Sequence, residues 1–423
     1  MPFRRRLWAL WSIASNSALV LVFLIMAMDR ALAADAVRIG LSLSLTGPTA
    51  PGGKQVLAGL EIWRDDVNGK GGLLGRPVEL VYYDDQGNPS NAPAIYAKLM
   101  DVDKVDLLIG PYGTNVIAAV MPAIIQANRT TIGIFGLGAN QTFKYPRYFS
   151  MNSQGPSPAN YSKCVFELAA SQNPKPTRVA LIGPEVEYSR NALDGARENA
   201  KAMGFDIVLE RTYPLSTTEF TPTVRAVQAA DPDVVFGATL PIDTAGIIRA
   251  ANEVGFKPKL IGGAMLGLLV TGIKQQLGPM INGYVSNEFY IPAPSLQFAG
   301  TQEMIGDYQR RAPALGTDPL GYTYPPYAYA AGQVLAKAVS ETGSLDDNRL
   351  AEYIRAHAFE TVIGPIEFGP TGEWKKPRII CIQFQGISGN DLSQFKDWSR
   401  QVVVYPSEFA SGKLVYPFER AVK

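Results

Sequence analysis

Histidine is nearly absent from this chain: His357 is the only one in 423 residues. Ser/His and Cys/His nucleophile pairs need an imidazole beside the nucleophile, and His357 falls in a helical stretch far from any candidate loop. No serine or cysteine has a matching base at a recognisable spacing, so an enzyme is not expected. Cysteine is equally scarce. Cys164 and Cys381 are too few for a disulfide-built scaffold. They could pair in an oxidising compartment; the reading adopted here is two separately buried thiols. A surplus of one charge is also missing, with Lys+Arg 39 against Asp+Glu 38. That leaves no basic field for nucleic acid and no charged tail, and suits a freely diffusing monomer. Asp84-Asp85 hints at a metal, but no further ligand set accompanies it. Gly136-x-Gly138 lacks the third glycine of a dinucleotide fingerprint. Neither a metal nor a cofactor is expected. No short repeat period is visible, which excludes a solenoid.

Long apolar runs are confined to the N-terminus. Arg4, Arg5 and Arg6 precede the apolar stretch Ala18 to Met28, and Ala31-Leu32-Ala33 offers small residues for a peptidase. This is the pattern of a signal peptide over 1–33, cut after Ala33. No other segment approaches the roughly 20 apolar residues of a spanning helix. The remaining chain, roughly 390 residues, exceeds what one core usually supports, so two domains are expected.

From Val37 onward, short β-rich runs alternate with amphipathic helical stretches. Strand candidates are Val37 to Leu45, Val78 to Tyr83, Val105 to Ile109 and Thr131 to Phe135, with helices from Gln55, Ala92 and Val116 between them. The turn formers Ser153 to Pro158 then interrupt, and a second series follows with strands at Arg178, Phe205, Val234 and Leu260. Such alternation predicts parallel pairing with helices on both faces, hence an α/β protein of two doubly wound sheets. Tyr284 to Tyr290, Thr361 to Phe368 and Arg378 to Phe384 read as further strands. Val402 to Phe418 reads as a terminal flap over one lobe.

The first strand ends on Thr46-Gly47-Pro48, and the next helix runs into Asn68-Gly69-Lys70-Gly71-Gly72-Leu73-Leu74-Gly75-Arg76-Pro77. With Tyr83-Asp84-Asp85 and Ile109-Gly110-Pro111 at matching distances, the chain resembles a type I periplasmic binding protein. Within that group it is similar to the leucine/isoleucine/valine-binding receptors of branched-chain amino-acid ABC importers, from about Val37 to about Gly386. The resemblance implies two lobes joined by three crossovers, near Asn152 to Pro158, Ser286 to Pro292 and Gly364 to Gly372. Lobe 1 would comprise 34–153 plus 290–364, and lobe 2 154–289 plus 365–423. It also implies a periplasmic receptor that closes on its solute by a hinge and then docks on ABC permease subunits in the membrane.

In doubly wound sheets, ligands sit at the carboxyl ends of strands, where helix N-termini offer unpaired N–H groups to an anion. Tyr112-Gly113-Thr114-Asn115 and Gly136-Leu137-Gly138-Ala139-Asn140 are such loops. The resemblance assigns a ligand carboxylate to Thr114, through hydroxyl and amide, and to the amides of Gly138 and Ala139. It places an aromatic, here Tyr188, over the ligand. Leu240 and Asp243, after the strand at Val234, border the same cleft, as does Met265. Tyr324 either lines the cleft or belongs to the core. One departure stands out. Amino-acid receptors of this kind hold the α-ammonium with an acidic side chain where this chain has Ala264-Met265-Leu266. A buried ammonium without a counter-charge costs several kcal/mol. Either Asp243 or Glu187 substitutes and the cargo is an amino acid, or the cargo is an aromatic or other organic acid without an ammonium. A ligand-sensing subunit of a signalling system is the further alternative.

Overall fold

The computed structural model describes residues 35–396 and 398–422, so the signal peptide expected over 1–33 lies outside the described residues. Strands β1 (Val37–Leu43), β2 (Val78–Asp84), β3 (Leu107–Tyr112), β4 (Thr131–Ile134) and β5 (Tyr148–Ser150) form one sheet in the order β2-β1-β3-β4-β5. All its pairings are parallel. Helices α1 (Ala50–Gly69), α2 (Ala92–Asp101), α3 (Thr114–Gln126) and the short α4 (Ala139–Phe143) supply the connections. The central strands β3 and β4 are buried along their whole length, because helices cover both faces and an apolar run without alternation is what such a strand requires. The acidic pair at the end of β2 is structural. Asp84 accepts from the amides of Leu45 and Thr46 and from the Thr46 hydroxyl, and Asp85 accepts from the Ser42 and Ser44 hydroxyls. Together they pin the turn that leads from β1 into α1.

The chain then enters α5 (Ala159–Ala170), a helix the sequence reading did not anticipate, and builds the second sheet. Its strands are β6 (Arg178–Pro184), β7 (Asp206–Tyr213), β8 (Val234–Thr239), β9 (Leu260–Met265) and β10 (Val285–Glu288), linked by α6 (Glu187–Ala202), α7 (Thr221–Ala229), α8 (Pro241–Glu253) and α9 (Thr271–Leu277). After β10 the helices α10 (Thr301–Arg311), α11 (Pro325–Thr342) and α12 (Asp347–Ala356) follow. Of these, α11 lies on α1, where Gly332 has no side chain and the Trp63 indole fills the space: an added Cβ would fall 2.1 Å from it.

Three expectations are corrected here. Thr361 to Phe368 is not one strand but most of a hairpin, β11 (Ala358–Thr361) and β12 (Gly364–Glu367), because Gly364 turns the chain at a φ of 86°. The terminal segment is more than a flap. Strand β14 (Gln401–Tyr405) pairs antiparallel with β13 (Ile380–Phe384), which pairs antiparallel with β10, giving the order β14-β13-β10-β9-β8-β6-β7. The run Val402-Val403-Val404 supplies the β-branched residues an edge strand of this kind prefers. Finally, the cysteines are not separate thiols. Cys164 on α5 and Cys381 on β13 form a disulfide with Cα atoms 6.2 Å apart, across 217 residues of sequence. Helix α5 packs on the antiparallel edge of the sheet, and only that packing brings the two together. Chain entropy for a loop this long comes to about 5 kcal/mol, and disulfides typically contribute about 2–4 kcal/mol. Reduction, or a Cys164→Ala/Cys381→Ala double variant, should lower the denaturant midpoint accordingly; an unchanged midpoint would show that the bond constrains nothing.

Candidate functional site

The carboxyl ends of both sheets face one chamber. From the first sheet come Thr49 and Gly87 after β1 and β2, Tyr112 to Val116 after β3, and Phe135 after β4; from the second come Tyr188, Leu240 and Leu266 after β6, β8 and β9. Asn152, Tyr161, Phe289 and Tyr324 close the base. The chamber holds about 60 Å³ and shares Thr49, Gly87, Asn115 and Leu240 with an outer vestibule of about 570 Å³. An apolar cavity of about 150 Å³ is known to take a benzene ring. The chamber as closed here therefore suits a small solute and has to widen for anything carrying a ring.

Chemistry concentrates at the start of α3. Gly113 precedes the helix at φ 91°, ψ 147°, a conformation that other residues avoid, and no side chain caps the helix. The first amides of the helix, at Thr114, Asn115 and Val116, are thus without intrahelical partners at the chamber wall. The Thr114 Oγ1 accepts from the Leu137 amide at 2.9 Å, which leaves its own proton available to a ligand. The amide nitrogens of the Asn115 and Asn152 side chains have no protein partner among the described residues, while the Asn115 Oδ1 accepts from the Tyr188 N–H at 3.0 Å. Donors outnumber acceptors on this wall, and an anion is what they fit.

The rest of the chamber is aromatic. Tyr112 meets Tyr324 edge-on at 5.1 Å, and Phe135 meets Phe289 at 4.6 Å and Tyr324 at 5.0 Å. Phe135 adopts a φ of 59°, which costs a non-glycine residue about 1–2 kcal/mol and is held there by these ring contacts. Burial pushes the Tyr112 hydroxyl up to about 12, and those of Tyr161, Tyr188 and Tyr324 upward as well. At neutral pH they are all uncharged hydrogen-bonding groups. The Tyr188 hydroxyl donates to the Ala264 carbonyl at 2.8 Å and lies 3.3 Å from that of Tyr161. Among the described residues, no charged side chain lines the chamber.

Of the residues expected at the site, Tyr112, Thr114, Asn115, Tyr188 and Leu240 meet in the chamber. Gly138, at φ 64°, and Ala139 open α4 behind Leu137 and do not line it. Met265 packs over Gly237 inside the second sheet, and its neighbour Leu266 faces the chamber instead. Asp243 and Glu187, the two candidate ammonium partners, line the vestibule. Asp243 takes the Tyr213 hydroxyl at 3.3 Å and is pushed up to about 6 by burial, and Glu187 pairs with Arg190 at 2.5 Å. Sequence reasoning missed Phe135, Asn152, Tyr161 and Phe289, which come from strand ends, a crossover and the first turn of α5, and whose convergence no local pattern announces. His357 is on the surface, stacked on Tyr353. No group of three metal-ligating side chains occurs among the described residues.

Bonds between the two halves hold the cleft shut: Tyr188 to Asn115, the Asn191 side chain to the Leu137 carbonyl at 2.8 Å, and the Thr271 N–H to Asp318 at 3.1 Å. Two α/β lobes meeting over a closed, donor-lined chamber define a two-lobed solute-binding protein. The chain belongs to the periplasmic binding protein family, whose profile matches residues 36–377. It is 25% identical over 345 residues to Leu/Ile/Val-binding protein homolog 2 of Brucella abortus, covering 80% of this chain and 87% of that one. Among solved structures it is similar to a leucine binding protein of Thermotoga maritima, at a TM-score of 0.73 and 20% identity, covering 84% of this chain and 96% of the other. A solute binding protein of Rhodopseudomonas palustris in complex with 3,4-dihydroxybenzoic acid gives a TM-score of 0.70 and 22% identity, covering 84% and 95%.

Proposed function

We propose that this chain is the exported receptor of an ABC importer and captures a small monocarboxylate with an apolar or aromatic body and no ammonium group. The observation that carries this reading is the composition of the chamber: unpaired N–H and O–H donors on one wall, aromatic rings on the others, and no carboxylate. An α-ammonium enclosed there would lack a counter-charge. The similarity to receptors for branched-chain amino acids and to a receptor holding an aromatic acid fits either cargo, and the missing acid favours the second. In this reading the site residues are Thr114, Asn115, Tyr112, Tyr188 and Leu240, with Leu266 in the place expected of Met265. The solute carboxylate docks on α3 first, and lobe 2 rotates over it about crossovers near 152–158, 286–292 and 364–372, the last of which runs on to β13. The disulfide and the N-terminal pattern support an extracytoplasmic location. Permease subunits are the expected partners of the closed form, the receptor itself acting as a monomer without catalysis.

A calorimetric panel of benzoate, hydroxybenzoates, branched 2-oxo acids and leucine tests the assignment. Aromatic or oxo acids are expected to bind and leucine is not; tighter binding of leucine than of every ammonium-free acid would overturn the reading. Asp243→Asn gives an independent check. If the cargo lacks an ammonium, its affinity should change less than about twofold, since Asp243 lines only the vestibule. A loss of tenfold or more would mean that the carboxylate pairs with a ligand cation.

A further inference from the structure

The rear of the hinge carries a second cavity, of about 470 Å³, with a composition unlike the chamber's. Its walls come from Lys163 on α5, from Phe298, from the crossover residues Trp374, Lys376 and Arg378, and from Tyr405 at the end of β14. Three features of these walls point the same way. Arg378 and Lys376 have no acidic partner among the described residues, and only Glu408 brings a negative charge to the lining. The Arg378 guanidinium is stacked on the Trp374 ring at 5.2 Å and on the Phe298 ring at 5.3 Å, so the cation is held in place by flat apolar surfaces. Two donors of these lining residues, the Trp374 Nε1–H and the Arg378 Nε–H, are buried just behind the wall and have no hydrogen-bond partner among the described residues. Trp374 is only 2% exposed, and an orphaned indole N–H at that depth costs about 1–3 kcal/mol unless something accepts from it.

We infer that this cavity is a second ligand site, for an organic anion with a flat aromatic body. The anion would accept from Trp374 and Arg378 and neutralise Lys376, while its ring would lie among Phe298, Tyr405 and Trp374. The site is independent of the cargo assigned to the front chamber. It is also placed to affect closure. The Arg378 amide donates to the Ser153 carbonyl at 2.7 Å, and its side chain donates to the Ile363 carbonyl, so two crossovers meet at this residue. A molecule wedged here touches segments that must bend when the lobes move.

The test titrates 2-naphthoate into the full mature protein, followed by calorimetry, with three variants. One equivalent of binding should persist in Thr114→Ala, which disables the front chamber. Lys376→Met, an exposed position that leaves the fold intact, should weaken that event at least fivefold, and Trp374→Phe, which keeps the ring stack but removes the N–H, at least threefold. Binding that disappears in Thr114→Ala and is unaffected by the two rear variants would overturn the proposal, as would an absence of any binding in Thr114→Ala. Failure of the front-chamber assignment alone would show as naphthoate binding only at the rear, with no monocarboxylate competing for Thr114.

Discussion

Thr114→Ala is expected to lower affinity for the carboxylate solute by 10- to 100-fold. The hydroxyl sits beside three helix amides without intrahelical partners and accepts from the Leu137 N–H, which leaves its own proton free to be donated to the ligand. A hydrogen bond to a charged group contributes about 1.5–3 kcal/mol, and 1.4 kcal/mol is a factor of ten. The same substitution strands the Leu137 N–H, a buried donor, which by itself costs about 1–3 kcal/mol of stability. Binding and stability are therefore both expected to fall, and Thr114→Ser separates them. Serine restores the acceptor for Leu137 and the donor for the ligand, losing only a methyl group. Affinity within about threefold of wild type in Thr114→Ser, with a large loss in Thr114→Ala, is the expected pattern. Full affinity in Thr114→Ala, measured calorimetrically at a temperature where the variant is folded, would remove the hydroxyl from the site.

The position of Thr114, at the end of β3 where α3 begins, was legible in the sequence because the rule that locates such positions is local. A parallel strand followed by Gly and then a helix puts amides at a strand end, and the strand-helix alternation alone reveals where that happens. The fold was legible for the same reason: β1 to β4 and β6 to β9 fall on the runs that periodicity picks out, with ends differing by a few residues. What the sequence hid depends on long-range closure. Phe289 and Tyr161 reach the chamber from either side of a hinge, in segments separated by more than a hundred residues, and nothing in Asn287-Glu288-Phe289 distinguishes it from an ordinary strand. The disulfide is hidden by the same distance. Met265 ends β9 and packs into the sheet, whereas Leu266 opens a 3-10 turn that carries it to the chamber. Where the strand gives way to that turn cannot be read from Gly263-Ala264-Met265-Leu266 alone.

Two buried carboxyls in the crossovers set the second large expectation, which concerns stability against pH. Glu288, at the end of β10, accepts from the Thr323 hydroxyl at 3.1 Å, and burial pushes it up to about 7 against the opposing pull of Lys274. It faces the Tyr161 and Tyr324 phenols. Glu373 is fully buried, neither of its oxygens has a well-aligned partner, and burial pushes it up to about 8; Tyr148 is the titratable neighbour it faces. An acid whose folded pKa lies above its unfolded value of 4.5 is protonated more readily in the folded state. Folding is then favoured most below 4.5, and that advantage is lost as pH rises through 4.5 towards 7 for Glu288 and towards 8 for Glu373. The two together correspond to a decline on the order of 8 kcal/mol across this window. Lys274 works in the opposite direction, because burial lowers its folded pKa, but over a window that begins below its ordinary 10.5. Urea midpoints of the unliganded protein should therefore fall between pH 5 and 8.5. Glu373→Gln, with no proton to lose, should abolish the slope between pH 7 and 8 and roughly halve it between pH 4.5 and 7, where Glu288 still contributes. It is the slope that decides, since the amide also alters local hydrogen bonding and shifts the whole curve. A Glu373→Gln profile parallel to wild type between pH 7 and 8.5 would mean that Glu373 is already ionised in the folded protein and finds a counter-charge near the hinge.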